Sequence, residues 1–313
     1  MKAVVYTKKH PGRLLFCDIN KPVPGDDEVL IKIHATSLNA ADYRSMSMGI
    51  IPEKKIFGAD IAGEVESAGK NITMFKPGDR VAGDLASNGF GGLAEYVTAP
   101  EKLLTRIPEN ISYTEAATFP LAGITALQAL RDKAGIKADQ KVLIVGSAGS
   151  VGPYAVQLAK YFGAEVTGVC SSGNIRQTLS LGATYALDYT REDFTKDNKR
   201  YDAIIAVNGN YPLRAYKKCL NKGGTFVMVG GSLSQIFRSI LFGRLLSSES
   251  KKMKFLSAKA SKSDLDFLAG LMSGGIIKAV IARTYPLDKA AEAMNFIRGG
   301  HAEGKVVINV IPV

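Results

Sequence analysis

The stretch Val142-Leu143-Ile144-Val145-Gly146-Ser147-Ala148-Gly149-Ser150-Val151-Gly152 decides the fold of this chain. Its first four residues predict a buried strand, a glycine-rich turn follows, and the next apolar residues recur at helical spacing. In such a strand–turn–helix unit the glycines let the backbone approach a pyrophosphate, and the helix N-terminus offers N–H groups to it. Ser147 stands where the usual fingerprint has its first glycine, and glycine turns also occur without ligands. In this context the turn predicts a dinucleotide site.

Alternating strands and helices continue beyond this turn. The pattern predicts strands at 165–170, 203–207 and 225–229, with helices at 175–181 and 213–220 between them. Such alternation is typical of an α/β fold with a doubly wound parallel sheet. Because ligands of these sheets bind beyond the carboxyl ends of the strands, we expect Ser171, Asn208 and Gly230 to line the cofactor site.

The residues after the second strand favour NADP over NAD. An NAD site usually has an acidic residue here, which binds the ribose 2′-hydroxyl. This chain has Ser171, Ser172 and Asn174 instead, with Arg176 close behind and no carboxylate among them. Serine hydroxyls and an arginine are suited to a 2′-phosphate. The alternative is a polar helix cap with a solvated arginine, since turns of this composition are common.

Composition predicts a soluble protein of a reducing compartment. A chain of 313 residues can form two domains, and no apolar run approaches the roughly 20 residues that span a bilayer. The first residues, Met1 to Tyr6, predict a strand rather than a secretory signal. Cys17, Cys170 and Cys219 are far apart in sequence, so we expect no disulfide framework and a cytoplasmic location.

The net charge of +11 raises the question of a polyanionic partner. The lysines are spread along the chain, no nucleic-acid-binding module is apparent, and the densest short cluster is Lys251-Lys252-Met253-Lys254. We expect solvated lysines whose general field also attracts an anionic cofactor, and we do not expect nucleic-acid binding.

The segments that flank the α/β region have a different character. In the first third, residues 28–35 and 91–98 alternate as strands, and residues 76–81 predict a turn that enters a strand. Short strands separated by turns predict a β-rich, barrel-like domain. The last portion, with a helix at 264–272, is expected to return to that domain. The predicted boundaries are 1–118, 119–256 and 257–313.

Motifs over essentially the whole chain resemble those of the medium-chain dehydrogenase/reductase superfamily, and more narrowly its zinc-independent quinone oxidoreductase branch. They are Ser37-Leu38-Asn39-Ala40-Ala41-Asp42, Gly58-Ala59-Asp60-Ile61-Ala62-Gly63, Phe75-Lys76-Pro77-Gly78-Asp79-Arg80-Val81, Gly91-Gly92-Leu93-Ala94-Glu95-Tyr96, Pro120-Leu121-Ala122-Gly123-Ile124-Thr125-Ala126, the glycine turn, and Ala302-Glu303-Gly304-Lys305-Val306-Val307. The resemblance implies a GroES-like catalytic domain split around a Rossmann domain. The C-terminal half is similar to mitochondrial reticulon-interacting and plastid-envelope quinone oxidoreductase homologues.

The resemblance also bears on metal content. Zinc dehydrogenases of the superfamily hold their metal with cysteine, histidine and carboxylate ligands. Here Leu38 or Asn39 stands near the place of the first cysteine, and Gly58-Ala59-Asp60 replaces glycine-histidine-glutamate. The only histidines are His10, His34 and His301, and the structural cysteine quartet is missing. No metal ligand is predicted. Without a Lewis acid, NADPH-dependent reduction of quinones or α,β-unsaturated carbonyls by hydride transfer fits better than alcohol oxidation.

Candidate site residues follow from the turn, the strand ends and the resemblance. The resemblance implies that Asn39 and Asp42 lie at the catalytic cleft, where Asn39 hydrogen-bonds a substrate oxygen and Asp42 either takes part or braces the loop. Tyr43 donates a proton, stacks on substrate or is structural. The expected cofactor contacts are Thr125, Ser147, Gly149, Ser150, Val151, Ser171, Ser172, Asn174, Arg176, Tyr189, Asn208, Gly230, Gly304 and Lys305. Thr125 has an alternative role as a hydroxyl bonded to its own helix.

Residues 232–254 stand apart, because an apolar helical face is flanked there by basic residues. The apolar positions are Ile236, Phe237, Ile240, Leu241, Phe242, Leu245 and Leu246, and the basic ones Arg238 and Arg244. A lid over the substrate or a homodimer contact is favoured over contact with a membrane surface. Three functions therefore stay open: an NADPH-dependent quinone or enone reductase, a membrane-surface redox protein acting on lipophilic quinones or lipid-derived enals, and a non-enzymatic NADPH-binding or RNA-binding relative.

Overall fold

Both ends of the chain build one compact unit, and the middle builds another. The computed structural model describes residues 1–9, 13–300 and 302–311, except for six side chains of one helix, those of residues 233, 236, 238, 240, 242 and 244. One unit comprises Met1–Ile124 with Lys259–Val313, and the other comprises Thr125–Ala258. The first boundary between the two units, between Ile124 and Thr125, lies inside the helix Pro120–Gln128. The sequence predicted this boundary at 118/119.

The described strands are β1 (Lys2–Tyr6), β2 (Leu14–Asp18), β3 (Glu28–Leu38), β4 (Asp60–Ala68), β5 (Arg80–Asp84), β6 (Tyr96–Pro100), β7 (Leu104–Arg106), β8 (Lys141–Val145), β9 (Glu165–Cys170), β10 (Tyr185–Asp188), β11 (Tyr201–Ala206), β12 (Leu220–Met228), β13 (Lys251–Phe255), β14 (Ile281–Pro286) and β15 (Lys305–Asn309). The described helices are α1 (Ala40–Ser47), α2 (Tyr113–Ala116), α3 (Pro120–Gln128), α4 (Gly152–Tyr161), α5 (Ile175–Ser180), α6 (Leu213–Lys218), α7 (Leu233–Leu246), α8 (Lys262–Ser273) and α9 (Ala290–Arg298).

The unit made from the chain ends is the GroES-like domain. Its main sheet has the order β14-β15-β3-β4-β5-β7, with β6 also paired to β3, while β1 and β2 form a separate antiparallel pair. Alternate residues of β3, namely Val29, Ile31 and Ile33, are buried in one cluster with Ile61 and Val81 of the neighbouring strands. Period-two burial of apolar residues fixes the register of these strands, because a slip of one residue would turn this face to water.

The C-terminal strand completes that sheet. β15 pairs antiparallel with β3, with Val306 opposite Leu38 and Val307 opposite Ser37. This pairing brings the last strand of the chain beside the loop that enters α1, and so sets Lys305 next to Asn39. The C-terminal portion, Lys259–Val313, thus belongs to the same unit as Met1–Ile124.

The central unit is a doubly wound Rossmann domain. Its sheet has the order β10-β9-β8-β11-β12-β13, and every neighbouring pair is parallel. Strand order reverses direction between the neighbouring strands β8 and β11, and sheets of this kind bind ligands in the crevice at the carboxyl ends of such a strand pair. The predicted strand at 165–170 is observed with those bounds.

Two strands of this sheet were not predicted from the sequence. β10 is only four residues long, and β13 consists of the lysine cluster that we interpreted as solvated surface charge. Lys251–Phe255 pairs with Gly224–Met228 at the edge of the sheet, with Met253 buried. Edge strands accommodate lysines because their outer side faces water, and charge there discourages pairing with another chain.

The segment 232–254 divides into α7 and β13 rather than forming one amphipathic element. On α7 the side chains of Phe237, Leu241 and Leu245 are exposed by 65%, 53% and 78%, whereas Gln235 and Ser239 are buried. Four-residue spacing places the three apolar side chains on one face. The side chains of Ile236, Arg238, Ile240, Phe242 and Arg244 lie outside those described. Among the described residues, no helix has the length and apolarity to cross a bilayer.

Candidate active-site residues

The glycine turn is built around Gly146 and Ser147. Gly146 has a φ of +88°, and its N–H and that of Ser147 both donate to the Val169 carbonyl at 3.0 Å. The Ser147 hydroxyl is buried, 3.0 Å from the Thr178 hydroxyl and 3.3 Å from the Val169 carbonyl oxygen. The serine that replaces the first glycine of the fingerprint therefore ties the turn to the neighbouring strand and helix.

The next residues leave space and an unpaired donor at the start of α4. A Cβ on Gly149 would meet no atom closer than 4.0 Å, whereas one on Gly152 would lie 2.2 Å from the Gly146 carbonyl oxygen. The Ser150 hydroxyl is buried, with no hydrogen-bond partner among the described residues. Val151 immediately precedes the first residue of α4. An open backbone, an unpaired hydroxyl and a helix N-terminus together fit a dinucleotide pyrophosphate.

The strand ends gather the predicted residues at one edge of the sheet. Ser171 follows β9 directly, Asn208 comes two residues after β11, and Gly230 comes two residues after β12. A Cβ on Gly230 would lie 2.5 Å from the Val207 carbonyl oxygen, so glycine is required by the backbone there. Asn208 is exposed, and its N–H donates to the Val145 carbonyl at 3.2 Å.

A carboxylate does stand beside Ser172, which corrects the inference that this strand end has none. Asp188, the last residue of β10, accepts a hydrogen bond from the Ser172 hydroxyl, and it also accepts bonds from the hydroxyl and the N–H of Thr190. These bonds, with Arg191 at 3.5 Å, lower the pKa of Asp188. Sequence inspection missed it because the parallel pairing of β10 with β9 brings in residues 16 positions away.

The remaining predicted contacts of this unit are accessible to different degrees. Arg176 and Tyr189 are exposed, while the Asn174 amide is buried and donates to the Ser171 hydroxyl at 2.9 Å. Thr125 is partly buried on α3. Arg176 forms no ion pair with any residue that the structure describes, and its exposed guanidinium is accessible to an anion.

The GroES-like unit contains a buried charged network centred on Asp60. One oxygen of its carboxylate accepts bonds from the Ser37 hydroxyl at 2.7 Å, the Asn39 amide at 2.8 Å and the Lys305 ammonium at 3.0 Å. The other oxygen accepts the N–H of Leu121 at 2.8 Å. Asp60 and Lys305 are 0% and 1% exposed. A buried ion pair of this kind is stable only when further hydrogen bonds satisfy both ions.

Lys305 and Asn39 are both engaged within this network. The Lys305 ammonium donates to the Asn39 amide oxygen at 2.6 Å and to the Leu38 carbonyl at 3.4 Å, besides Asp60. The Asn39 amide nitrogen donates to Asp60 and, at 3.4 Å, to the Ser37 carbonyl. Neither side chain has a spare donor in this arrangement. Gly304 has a φ of +124°, and a Cβ there would lie 2.5 Å from the Val280 carbonyl oxygen.

Asp42 braces the loop that leads into α1. Its carboxylate accepts the N–H of Asn39 at 2.7 Å and the N–H of Gly58 at 2.8 Å, and it is fully buried. Burial raises the pKa of Asp42 to about 6, against the effect of these two bonds. Tyr43 is half-buried, with the Arg44 guanidinium 5.7 Å from its ring centroid.

Sequence reasoning missed Asp84, the last residue of β5. Asp84 is 4% exposed, lies directly opposite Asp60 in the β4–β5 register, and accepts the N–H of Ala86 at 2.9 Å. Burial and the charge of Asp60 raise its pKa to about 7. The available signal was an acid in an otherwise apolar strand, Val81-Ala82-Gly83-Asp84-Leu85. Within the described residues, no three His, Cys, Asp or Glu are grouped so as to hold a metal ion.

Comparison with known proteins agrees with both units. Residues 25–109 match the model of the alcohol dehydrogenase GroES-like domain, and residues 181–308 match the model of a zinc-binding dehydrogenase domain. The chain is 35% identical over 301 residues to the chloroplast envelope quinone oxidoreductase homolog of Arabidopsis thaliana, covering 92% of this chain and 91% of that protein. It belongs to the medium-chain dehydrogenase/reductase superfamily.

Two further members of this superfamily extend the comparison. The 2-methylene-furan-3-one reductase of Solanum lycopersicum is 34% identical, over 100% of this chain and 80% of that protein. The solved quinone oxidoreductase of Coxiella burnetii superposes with a TM-score of 0.89 at 30% identity, and 99% of each chain is covered. The chain is accordingly an oxidoreductase with quinone oxidoreductases and an enone reductase among its relatives.

The glycine turn yields a paired prediction. Gly149→Val should fold normally but bind cofactor at least about tenfold more weakly, because its Cβ would approach no protein atom closer than 4.0 Å and its side chain would fill the approach to the pyrophosphate. Gly152→Ala should instead lower the free energy of unfolding by about 2 kcal/mol through its clash with Gly146. Denaturant unfolding and calorimetric titration measure the two effects. If Gly149→Val bound cofactor as tightly as wild type does, the prediction that this turn forms part of the cofactor site would be wrong.

The buried ion pair yields a second prediction. Lys305→Met should lower the free energy of unfolding by about 3 kcal/mol or more, because Asp60 would be left charged and uncompensated. Adding Asp60→Asn should restore part of that loss. Lys2→Met serves as the control, since the Lys2–Asp18 pair is exposed to water and its loss should change stability little. Equal losses in Lys305→Met and Lys2→Met would contradict a stabilising role for the buried pair.

Proposed function

We propose that this protein is a zinc-independent, NADPH-dependent oxidoreductase that reduces quinones or α,β-unsaturated carbonyls by hydride transfer. The observation that carries the proposal is the turn before α4, where an unpaired buried Ser150 hydroxyl adjoins the open backbone of Gly149. The relatives whose names include quinone oxidoreductase and 2-methylene-furan-3-one reductase support the substrate class.

The cofactor would be held by residues of the Rossmann unit. Ser150 and the N-terminus of α4 would bind the pyrophosphate, and Ser171, with the exposed Arg176 and Tyr189, would bind the adenosine end. The negative charge of Asp188 disfavours a 2′-phosphate nearby, but three hydrogen bonds and Arg191 already offset that charge. The two positive charges of Arg176 and Arg191 exceed the single negative charge of Asp188, so the adenosine end would attract the 2′-phosphate of NADPH.

In the proposed reaction the chain's own residues position the substrate and exclude water. A reduced nicotinamide, when bound, would supply the hydride; the β-carbon of an enone would accept it, and the resulting enolate would take up one proton from solvent. Because the Asn39 amide is already bonded to Asp60 and Ser37, its contribution would be to hold the loop in place rather than to donate a free hydrogen bond. Catalysis by positioning suits a reaction in which the cofactor provides the chemistry.

The alternative in which the protein acts at a membrane surface rests on one observation. The exposed Phe237, Leu241 and Leu245 on α7 form an apolar face that would contact lipid if the substrate were a lipophilic quinone or enal. The same face would also suit the homodimer that we expect. Sedimentation with anionic vesicles, compared between wild type and Leu245→Ser, separates these two uses, because only membrane contact gives lipid-dependent pelleting that the substitution weakens.

The activity is tested by following NADPH oxidation against quinones, alkenals and alkenones. We expect turnover with at least one conjugated carbonyl or quinone and little oxidation of simple alcohols, since the described residues offer no metal-ligand group to acidify an alcohol. Exhaustive chelation should leave the rate unchanged. Cofactor binding without oxidation by any of these substrates would favour a non-enzymatic role, and loss of activity together with one zinc per chain would contradict metal independence.

Cofactor preference is tested at the adenosine end. NADPH should bind more tightly than NADH. Arg176→Ala should reduce the ratio of the NADPH affinity to the NADH affinity about tenfold, because it removes a charge-assisted bond to the 2′-phosphate. Asp188→Asn should increase that ratio, because it removes a negative charge near the 2′-phosphate. Lys222→Ala is the matched control, because this exposed cation lies near the amino end of β12. Equal calorimetric affinities of wild type for the two cofactors would refute the NADPH assignment.

A further inference from the structure

Three polar residues lie in one line across the GroES-like sheet. Ser37 of β3 is opposite Asp60 of β4, and Asp60 is opposite Asp84 of β5. Directly opposed residues of antiparallel strands share a face, with Cβ atoms about 4.5–5.5 Å apart. The carboxyl groups of Asp60 and Asp84 are therefore neighbours in a part of the domain from which water is excluded.

The buried charges of this region do not balance. Asp42, Asp60 and Asp84 are acidic, and Lys305 is the basic group that accompanies them among the described residues. Two like charges at this separation in a medium of low dielectric constant cannot both be ionised cheaply. At least one carboxyl group must hold a proton over part of the neutral pH range.

Hydrogen bonding identifies which carboxyl group that is. Asp60 accepts four bonds, one of them from the ammonium group of Lys305, and Asp42 accepts two from backbone N–H groups. From the residues that the structure describes, Asp84 accepts one, the N–H of Ala86. The charged groups that face Asp84 are Asp60 on β4 and Asp42 on α1, which both raise its pKa, and Lys305 on β15, which lowers it. Asp84 is thus the acid least stabilised as an anion.

We propose that Asp84 is a positioning residue for the proposed reduction: its neutral form leaves Lys305 bound to Asp60 and Asn39, and its ionised form competes for Lys305 and loosens the loop that carries Asn39 and Asp42. The proposal rests on the proposed function for its effect on turnover. The loop is sensitive to this competition because Lys305 bonds to Asn39, and Asp42 bonds to the backbone of Asn39.

The pH dependence has a definite sign. Because the folded-state pKa of Asp84 is raised to about 7, the neutral form predominates below neutral pH and is lost as the pH rises through that value. Turnover of wild type should therefore fall by at least about fivefold between pH 6 and pH 8.5. In Asp84→Asn, a neutral amide of the same size still accepts the Ala86 N–H, and the fall should shrink to less than about twofold. Asp27→Asn, an exposed control, should retain the wild-type fall.

The experiment records kcat against pH for these three proteins, together with the 15N resonance of the Lys305 ammonium in lysine-labelled protein. We expect the chemical shift of that resonance to change as Asp84 ionises in wild type and in Asp27→Asn, and to lose that change in Asp84→Asn. The same alkaline fall of kcat in Asp84→Asn as in wild type, or the same pH-dependent change of the Lys305 chemical shift in both, overturns the proposal. If no enone or quinone is turned over, the proposed function fails, and the Lys305 resonance alone then decides whether Asp84 controls the network.

Discussion

The buried contact between Lys305 and Asp60 is the interaction on which the GroES-like unit depends. It joins residues 245 positions apart, and it exists only because β15 pairs with β3 while β4 pairs with the other side of β3. Desolvating the ammonium and the carboxylate is costly, and the cost is offset because every described donor of Lys305 and both oxygens of Asp60 are hydrogen-bonded. This requirement makes the pairing of the two chain ends specific, because a shift in strand register would leave the Lys305 ammonium or the Asp60 carboxylate buried without its partner.

The same contact holds the loop before α1 at the positions where zinc dehydrogenases of this superfamily have metal ligands. At the positions where the resemblance places ligands, this chain has Leu38 or Asn39, then Ala59 and Asp60, and the Lys305 ammonium bonds to the side chains of Asn39 and Asp60. A cationic group thus still binds the acidic residue and the loop before α1. An ammonium group cannot act as a Lewis acid on an alcohol, so the arrangement favours a reaction in which the hydride donor and substrate positioning suffice.

Much of the fold follows from local sequence pattern. The strand–glycine–helix unit, the strand at Glu165–Cys170 and the return of the C-terminal portion all have clear signals, because apolar periodicity and turn glycines act within a few residues. β10 and β13 lacked such a signal, since one is very short and the other consists largely of lysines stabilised by pairing with β12. Edge strands depend on their neighbours more than on their own apolar residues.

The candidate site could be predicted only in part. Ser150 and Gly149 follow from the turn, but the partners of Ser172 and Asn39 depend on strand register, which brings Asp188 and Asp60 to them from distant positions. Asp84 escaped notice for the same reason, since its proximity to Asp60 arises from pairing across two strands. Burial and pairing, rather than residue type, decide which acids are charged.

The central claim, direct hydride transfer to a conjugated carbonyl, is tested most directly by isotope tracing. The protein would be incubated with NADPH carrying deuterium at the transferable C4 position and with an enone, and the product examined by NMR. The account predicts one deuterium at the β-carbon and a solvent-derived hydrogen at the α-carbon. A reduced product without cofactor-derived deuterium at the β-carbon would contradict it.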